Sequence, residues 1–141
     1  MFASPHSPSD AYAKIGVETG VMAASPHKLI LMLIDGALLA IAMASQAIRE
    51  KKIAQKGEEI SRAIEIIANG LKASLDKQAG GELAERMDAL YDYMCQRLLQ
   101  ANLHSNPAIL NEVAGLLKEL KGGWEEIAKD PAVVSNSTNP A

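Results

Sequence analysis

The chain has 141 residues, of which 48% are apolar and 22% are charged, and its net charge is −3. This length predicts a single domain, and this composition is typical of a globular protein with a core of its own rather than of a disordered chain. The pI near 5.6 argues against a nucleic-acid-binding protein, which normally carries a strongly basic surface. Cys95 is the only cysteine, so we expect no intramolecular disulfide and a reducing compartment.

The two ends of the chain differ in composition from the part between them. Residues 1–9 and 131–141 contain prolines, serines and other polar residues without an apolar period, so we expect a flexible N-terminus and a disordered C-terminal tail. Residues 10–130 then form one helical domain, in which residues 12–21 predict a short helical or capping segment. The N-terminus lacks the basic and apolar stretches of a secretion signal, and the protein is therefore expected to be cytoplasmic.

Four stretches between these ends repeat apolar residues every three or four positions, which is the period of an amphipathic helix. Ser25 followed by Pro26 is a typical helix start, Gly80 with Gly81 is a typical turn, and Pro107 starts the last helix. The predicted helices are residues 26–51, residues 53–75, residues 82 to the turn before Pro107, and residues 107–130. No stretch alternates apolar and polar residues as a strand would. The sequence predicts an all-α fold, an antiparallel four-helix bundle.

The first predicted helix is more apolar than the core of a bundle requires. Of the 20 residues from Leu29 to Ile48, only Asp35, Gly36, Ser45 and Gln46 are not apolar. The stripe that suits the bundle core is Ile30, Ile34, Ala37, Ile41, Ala44 and Ile48. A second stripe beside it is Leu29, Leu33, Gly36, Ala40 and Met43, and the third helix has a weaker patch at Ala84, Tyr91, Cys95 and Leu99. Two interpretations remain open: neighbouring helices cover the second stripe, or it binds a partner helix.

A membrane-spanning helix is a further reading of this apolar stretch. Residues 29–44 form a run of 16, whereas a helix that spans a bilayer needs about 20 residues. Asp35 and Gly36 also lie in the middle of the run, where a charge is costly in lipid. We therefore expect this helix to belong to the bundle and not to a membrane.

The residues that catalysis or metal binding would need are missing from the sequence. A di-iron bundle needs Glu-x-x-His pairs, and none of His6, His27 and His104 follows a glutamate at that spacing. There is no glycine-rich phosphate loop and no G-x-S-x-G turn. Cys95 lacks a histidine or acidic partner that would activate it. We expect neither an enzyme nor a bound metal or cofactor.

Several stretches of the sequence closely resemble the flagellin-specific export chaperones of the FliS family. They are AYAKIGVET from Ala11, ASPHKLILMLIDGA from Ala24, GLKASLD from Gly70, GGELA from Gly80, and LYDYMCQRLLQANL from Leu90. Together they span residues 10–128 in the family's order and spacing. The chain departs from the family at Ile34, where an aromatic residue is usual, and at Gly122 and Gly123, where stronger helix formers are usual.

The resemblance implies a cytoplasmic helical bundle without a cofactor. Such a protein binds the C-terminal segment of newly made flagellin, prevents its polymerisation and delivers it to the membrane protein of the flagellar type III export gate. The resemblance further implies that an N-terminal segment covers part of the flagellin site and also contacts the export gate. The matching residues for this segment are Tyr12, Ile15 and Val17.

The flagellin-binding surface is then expected on the first and third helices. The candidate residues are Leu29, Leu33, Ile34, Gly36, Ala40, Met43, Tyr91, Cys95 and Leu99. The alternative function is a helical dimerisation or regulatory module that uses the same apolar surface without an unfolded client. A chaperone whose surface is masked should be mostly monomeric, with at most a weak homodimer.

Overall fold

Four helices form almost all of residues 25–128, the part of the chain that the computed structural model describes. They are α1 (Pro26–Arg49), α2 (Ile53–Glu65) with a π-helical continuation (Ile66–Lys72), α3 (Lys77–His104) and α4 (Pro107–Ala128). These described residues contain no β-strand, so the predicted all-α class is confirmed. The predicted flexible ends and the predicted N-terminal capping segment lie outside the described residues.

Local hydrogen bonds explain where two of the helices begin. Ser25 Oγ accepts a hydrogen bond from the Lys28 amide at 3.2 Å, and a proline occupies the first helical position. Asp76 Oδ1 accepts hydrogen bonds from the amides of Gln78 and Ala79, at 3.1 and 3.0 Å. These side chains satisfy amides that have no partner within the helix. Because the connections between helices are short, consecutive helices run antiparallel.

Each helix packs against the next one in the chain, and α4 packs against α1, so the four helices surround one core. Trp124 Nε1 donates a hydrogen bond to the His27 carbonyl at 3.0 Å, which joins the end of α4 to the start of α1. Lys56 Nζ donates one to the Asn102 carbonyl at 2.9 Å, which joins the start of α2 to the end of α3. Both contacts confirm the predicted antiparallel arrangement.

The core contains the first stripe that the sequence predicts for α1. Its buried members are Ile34, Ala37, Ile41 and Ala44, and its half-buried members are Ile30 and Ile48. In α3 the core-facing residues are spaced alternately by three and four, which is a heptad seam. They are Ala84, Met87, Tyr91, Met94, Leu98 and Ala101. In α4 the buried residues are Ile109, Leu110, Val113 and Leu117.

The connection between α2 and α3 has two parts. Residues 73–76 join the helices, and residues 77–80 form a short first piece of α3. Gly81 has φ 55° and ψ −130°, a non-helical conformation that glycine adopts readily, and it separates this piece from the long part of α3. The predicted break at Gly80 and Gly81 is therefore confirmed, and the short helical piece before it was not predicted. After this kink Leu83 is 67% exposed, and Ala84 is buried.

The second helix changes its geometry before it ends. After Glu65 the chain continues for seven residues, Ile66–Lys72, as a π-helix, in which each turn is wider than in an α-helix. Gly70 of this segment lies against α1, and a Cβ atom at Gly70 would be 3.0 Å from Leu33 Cδ2. The absence of a side chain at Gly70 therefore allows the π-helical segment to approach α1 closely.

Candidate functional site

The nine residues predicted to form a binding surface lie at three depths. Leu33, Ile34, Ala40 and Tyr91 are core residues with 4% or less of their surface exposed. Leu29, Gly36 and Cys95 are half-buried, and Met43 and Leu99 are exposed. The prediction that these four core residues lie on the surface is therefore wrong. Whether any of the nine binds a partner stays a prediction.

The second helix and its π-helical continuation cover the second apolar stripe of α1 at Leu33 and Gly36. Leu33 packs against Gly70, and a Cβ atom at Gly36 would lie 3.4 Å from Ile66 Cδ1. The small residue at position 36 thus allows a second helix to come close, as the sequence suggested, but that helix is the chain's own α2. For this part of α1 the structure favours the interpretation that neighbouring helices cover the stripe.

Part of α1 nevertheless remains uncovered by the described structure. By length and composition α1 could span a membrane: an 18-residue window of it has a mean hydropathy of 2.0, and 33% of that window is buried. Its packing against α2 and α4 identifies it as a bundle helix. Asp35, in the middle of the apolar run, forms an ion pair with Lys121 of α4 at 2.8 Å. This ion pair explains why a charged residue occurs in an otherwise apolar stretch. The remaining apolar surface of α1 is more than the bundle itself needs.

Among residues 25–128 eight large apolar side chains are exposed, and five of them lie in two places along the bundle. On the outer face of α1 they are Leu39, which is 63% exposed, and Met43. At the end of the bundle where α2 begins and α3 ends they are Ile53, Leu99 and Leu103, which we call the α2–α3 patch. The other three are Leu83, Tyr93 and Ile127. Leu103 is 77% exposed and lies one helical turn after Leu99. The residues in these two places are the described apolar residues best placed to contact another molecule.

A buried lysine holds together the helix ends that carry the α2–α3 patch. Lys56 is 6% exposed, and its Nζ donates hydrogen bonds to the Asn102 carbonyl at 2.9 Å and to Ser105 Oγ at 2.6 Å. Ser105 has a positive φ of 47° and ends α3. A cation at this position is favourable because it faces the negative end of the α3 dipole. Lys56 therefore fixes the position of Leu99 and Leu103 relative to α2.

An open groove of about 300 Å³ runs between α1 and α4. Its lining residues are Leu38, Ile41, Ala42, Ser45 and Arg49 of α1 and Asn111, Ala114 and Lys118 of α4. The floor of the groove is apolar, and both charged residues among its lining are basic. No pattern in the sequence marks this groove, because it depends on how α4 is rotated against α1.

Ion pairs occupy the polar sides of α3. Facing α4, Glu112 accepts hydrogen bonds from the Tyr93 hydroxyl and from Arg97 Nε, the second at 2.7 Å. These two hydrogen bonds hold the pKa of Glu112 below its ordinary value. Facing the π-helical segment, Lys72 Nζ pairs with Asp92 Oδ1 at 2.6 Å, and this contact raises the pKa of Lys72. These contacts tie α3 to both of its neighbours.

The half-buried thiol shows no sign of activation. Burial and, to a lesser extent, the nearby Asp92 carboxylate raise the pKa of Cys95, so the thiol is protonated near neutral pH. Within residues 25–128 no group of three or more histidine, cysteine, aspartate or glutamate side chains is placed to hold a metal ion.

The N-terminal part of the predicted site cannot be placed on the bundle. Tyr12, Ile15 and Val17 lie outside the described residues. Where the described chain begins, the rings of His27 and Trp124 stack with their centroids 4.8 Å apart and their planes 10° apart. The start of α1 is thus anchored to the end of α4.

Sequence reasoning identified two of the exposed candidates, Met43 and Leu99, and missed Leu39, Ile53 and Leu103. The repeat of leucine at positions 99 and 103 is a signal that was available in the sequence. Nothing in the sequence pattern marks Lys56 as buried, because lysine is rarely buried and its partner carbonyl belongs to a distant helix.

Comparisons with known proteins agree on one family. A family model described as flagellar protein FliS matches residues 8–131. The flagellar secretion chaperone FliS of Salmonella typhimurium is 49% identical over 118 residues, which cover 84% of this chain and 87% of that protein. The protein of the same name from Escherichia coli is 41% identical over 128 residues, which cover 91% of this chain and 94% of that protein. The flagellar secretion chaperone FliSB of Pseudomonas aeruginosa is 43% identical over 117 residues, 83% of this chain and 92% of that protein. The family model and these relatives each match more than four-fifths of this four-helix chain. The protein therefore belongs to the FliS family.

Proposed function

We propose that this protein is a cytoplasmic flagellar secretion chaperone that binds the C-terminal segment of flagellin, prevents its polymerisation and delivers it to the flagellar export gate. The role of secretion chaperone rests on the family and on the printed names of its relatives. The client and the gate are the finer part of the proposal. No catalytic activity is part of it.

One observation carries the client-binding part of the proposal. The core of the bundle is already complete, yet the α2–α3 patch and the outer face of α1 keep large apolar side chains in water. Apolar side chains gain about 25 cal/mol for each Å² that a partner removes from water. A cluster of them on adjoining helix ends is typical of a surface that binds another protein.

The structure changes which residues we propose to touch the client. Met43 and Leu99 remain proposed contacts, and the whole α2–α3 patch joins them. The four buried residues of the predicted surface do not touch the client in this proposal. They support the binding surface by holding the helices in place, and they are Leu33, Ile34, Ala40 and Tyr91. Tyr12, Ile15 and Val17 are proposed to cover the apolar surface until the client displaces them, and Tyr12 is proposed to contact the export gate as well.

The proposed mechanism is competition for apolar surface. A flagellin C-terminal segment that is disordered alone would fold on the chaperone and place its own assembly helix against the patch, where it cannot bind another flagellin. Ordering the segment costs entropy and offsets part of the contact energy. This cost keeps the complex weak enough to release the client at the gate.

The test is calorimetric titration of the full chain with a peptide of about 40 residues from the C-terminus of the same organism's flagellin. We expect one-to-one binding with a negative heat-capacity change. Replacing both exposed leucines of the patch, L99D with L103D, should weaken binding about a hundredfold, because two buried leucine contacts are lost. L83D is the matched control, since Leu83 is an equally exposed leucine on the same helix but at its other end.

Circular dichroism must show that every variant is folded. If folded wild-type protein gives no heat and forms no complex on a column, the client-binding function is wrong. If L83D weakens binding as much as L99D with L103D, the patch is not the site.

The dimerisation module stays as the alternative function, because the same patch could bury itself against a second copy. Size-exclusion chromatography at several protein concentrations distinguishes the two. A chaperone should remain mostly monomeric without its client. A dimer that L99D with L103D dissociates would favour the alternative.

A further inference from the structure

The groove between α1 and α4 differs from the α2–α3 patch in its charge. We propose that this groove binds an acidic amphipathic helix of the client, about three turns long, whose carboxylates pair with Arg49 and Lys118 at its two ends. The inference rests on the proposed function and adds a second, electrostatic contact to the apolar one.

The antiparallel packing of α1 and α4 sets the length of the groove. The ion pair between Asp35 and Lys121 and the hydrogen bond from Trp124 to His27 place Lys118 beside Leu38 and the start of α4 near the end of α1. From Leu38 to Arg49 is 11 residues of helix, or about 16 Å at 1.5 Å per residue. A bound helix of three turns fills this length and leaves one cation near each end.

The middle of the groove is shaped for a third helix. Its walls there are Ala42, Ser45 and Ala114, which are small, and Ile41 forms a buried apolar floor. Small residues along two neighbouring helices leave a channel into which the side chains of another helix can insert. An amphipathic helix fits because one of its faces is apolar and its edges are charged.

The charges around the groove favour a negative occupant. Both charged lining residues are basic, although the chain as a whole has a net charge of −3. The carboxylates near its two ends are already paired, Asp35 with Lys121 at 2.8 Å and Glu50 with Lys52 at 2.9 Å. Lys118 has no ion pair among residues 25–128. Arg49 donates its hydrogen bond to the neutral amide of Gln46 at 2.6 Å, and its charge also acts on the neighbouring Glu50 carboxylate without forming an ion pair with it.

A neutral or basic occupant would not suit these cations. A helix without carboxylates would remove water from Arg49 and Lys118 and offer no partner, which costs free energy. A second copy of the chain docked groove to groove would place like charges together. An acidic helix gains from both the apolar floor and the two cations.

The experiment compares two charge-reversed forms of the full chain in titrations with the flagellin C-terminal peptide. The groove variant is R49E with K118E. The control variant is K77E with R86E, which changes the net charge equally at exposed positions at the start of α3. We expect the groove variant to bind about tenfold more weakly or worse and the control variant to bind as the wild type does, because exposed pairs contribute little to stability.

Salt dependence and the charge of the peptide provide the second readout. Wild-type affinity should fall as salt rises, and the groove variant should lose most of this dependence. A second peptide has its aspartates and glutamates replaced by asparagines and glutamines. It should bind the wild type weakly, and its affinity for the groove variant should be about the same.

The outcomes separate this inference from the proposed function. If the wild type binds the peptide and the groove variant binds it equally well at every salt concentration, the inference is wrong and the chaperone function stands. If the groove variant binds more tightly, the cations hold a competing segment of the chain and the inference is wrong. If a wild-type dimer forms and the groove variant is monomeric, the occupant is a second copy and the inference is again wrong. If the wild type does not bind the peptide at all, the proposed function fails first.

Discussion

The two sides of α1 show how one apolar helix serves both the core and the surface. Towards α2, glycines at positions 36 and 70 let the backbones approach until side chains fill the space between them. Towards α4, a comparable stretch of small residues leaves an open groove with a cation at each end. Both sides are apolar, so hydrophobicity alone does not say which one a partner uses. The two sides differ in their neighbours: Gly70 of the π-helical segment allows close packing, whereas α4 leaves a groove open.

The strongest way to break this comparison is to remove a side chain from the covered side of α1. L33A should destabilise the bundle by about 3 kcal/mol, because Leu33 is 2% exposed, packs against Gly70 and would leave a cavity. Urea unfolding followed by circular dichroism measures the change. M43A, on the exposed surface of the same helix, should cost less than about 1 kcal/mol. Equal losses for L33A and M43A would contradict the assignment of Leu33 to the covered side of α1.

The close approach of α1 and the π-helical segment can be tested with glycine substitutions. G70V should destabilise by about 2 kcal/mol, because the added atoms would meet Leu33, whose Cδ2 is already 3.0 Å from the position of a Cβ. Gly115, in exposed helix with nothing within 4 Å of an added Cβ, is the matched control. G115A should stabilise by about 0.5 to 1 kcal/mol through helix propensity. A stable G70V variant would show that the contact is looser than described.

The smallest expected effect is the pH dependence of the contact between α3 and α4. The hydrogen bonds from Tyr93 and Arg97 lower the pKa of Glu112 in the folded state below the ordinary value of 4.5. Their contribution to stability is therefore complete above that value and is lost as the pH falls through the lowered pKa. Chemical denaturation between neutral and acidic pH should show a slightly flatter decline for E112Q than for the wild type. An identical decline would mean that Glu112 is not coupled to folding.

The fold was predictable from local signals wherever one residue type decides the geometry. Ser25 and Pro26 fixed the start of α1, and the spacing of isoleucines gave its core stripe. Gly80 and Gly81 predicted the break before the long part of α3, whereas the short helical piece ahead of that break, which Asp76 caps, was not predicted. The π-helical segment has no local signal, and we have no sequence-based reason for it.

The candidate site was less predictable, because exposure depends on how helices rotate against one another. The sequence showed that α1 has more apolar surface than one interface needs. It could not show that Leu33 and Ala40 would be buried while Leu39 and Met43 stay in water. The α1–α4 groove and the buried Lys56 depend on residues from two helices, and no single stretch of sequence contains both partners.

The stacking of His27 on Trp124 has a spectroscopic consequence. The chain contains one tryptophan, so its intrinsic emission comes from a single indole at the junction of α1 and α4. The described chain begins at Ser25, two residues before the ring on which that indole stacks. Any event that shifts the start of α1 should therefore change the emission wavelength or intensity without an added label.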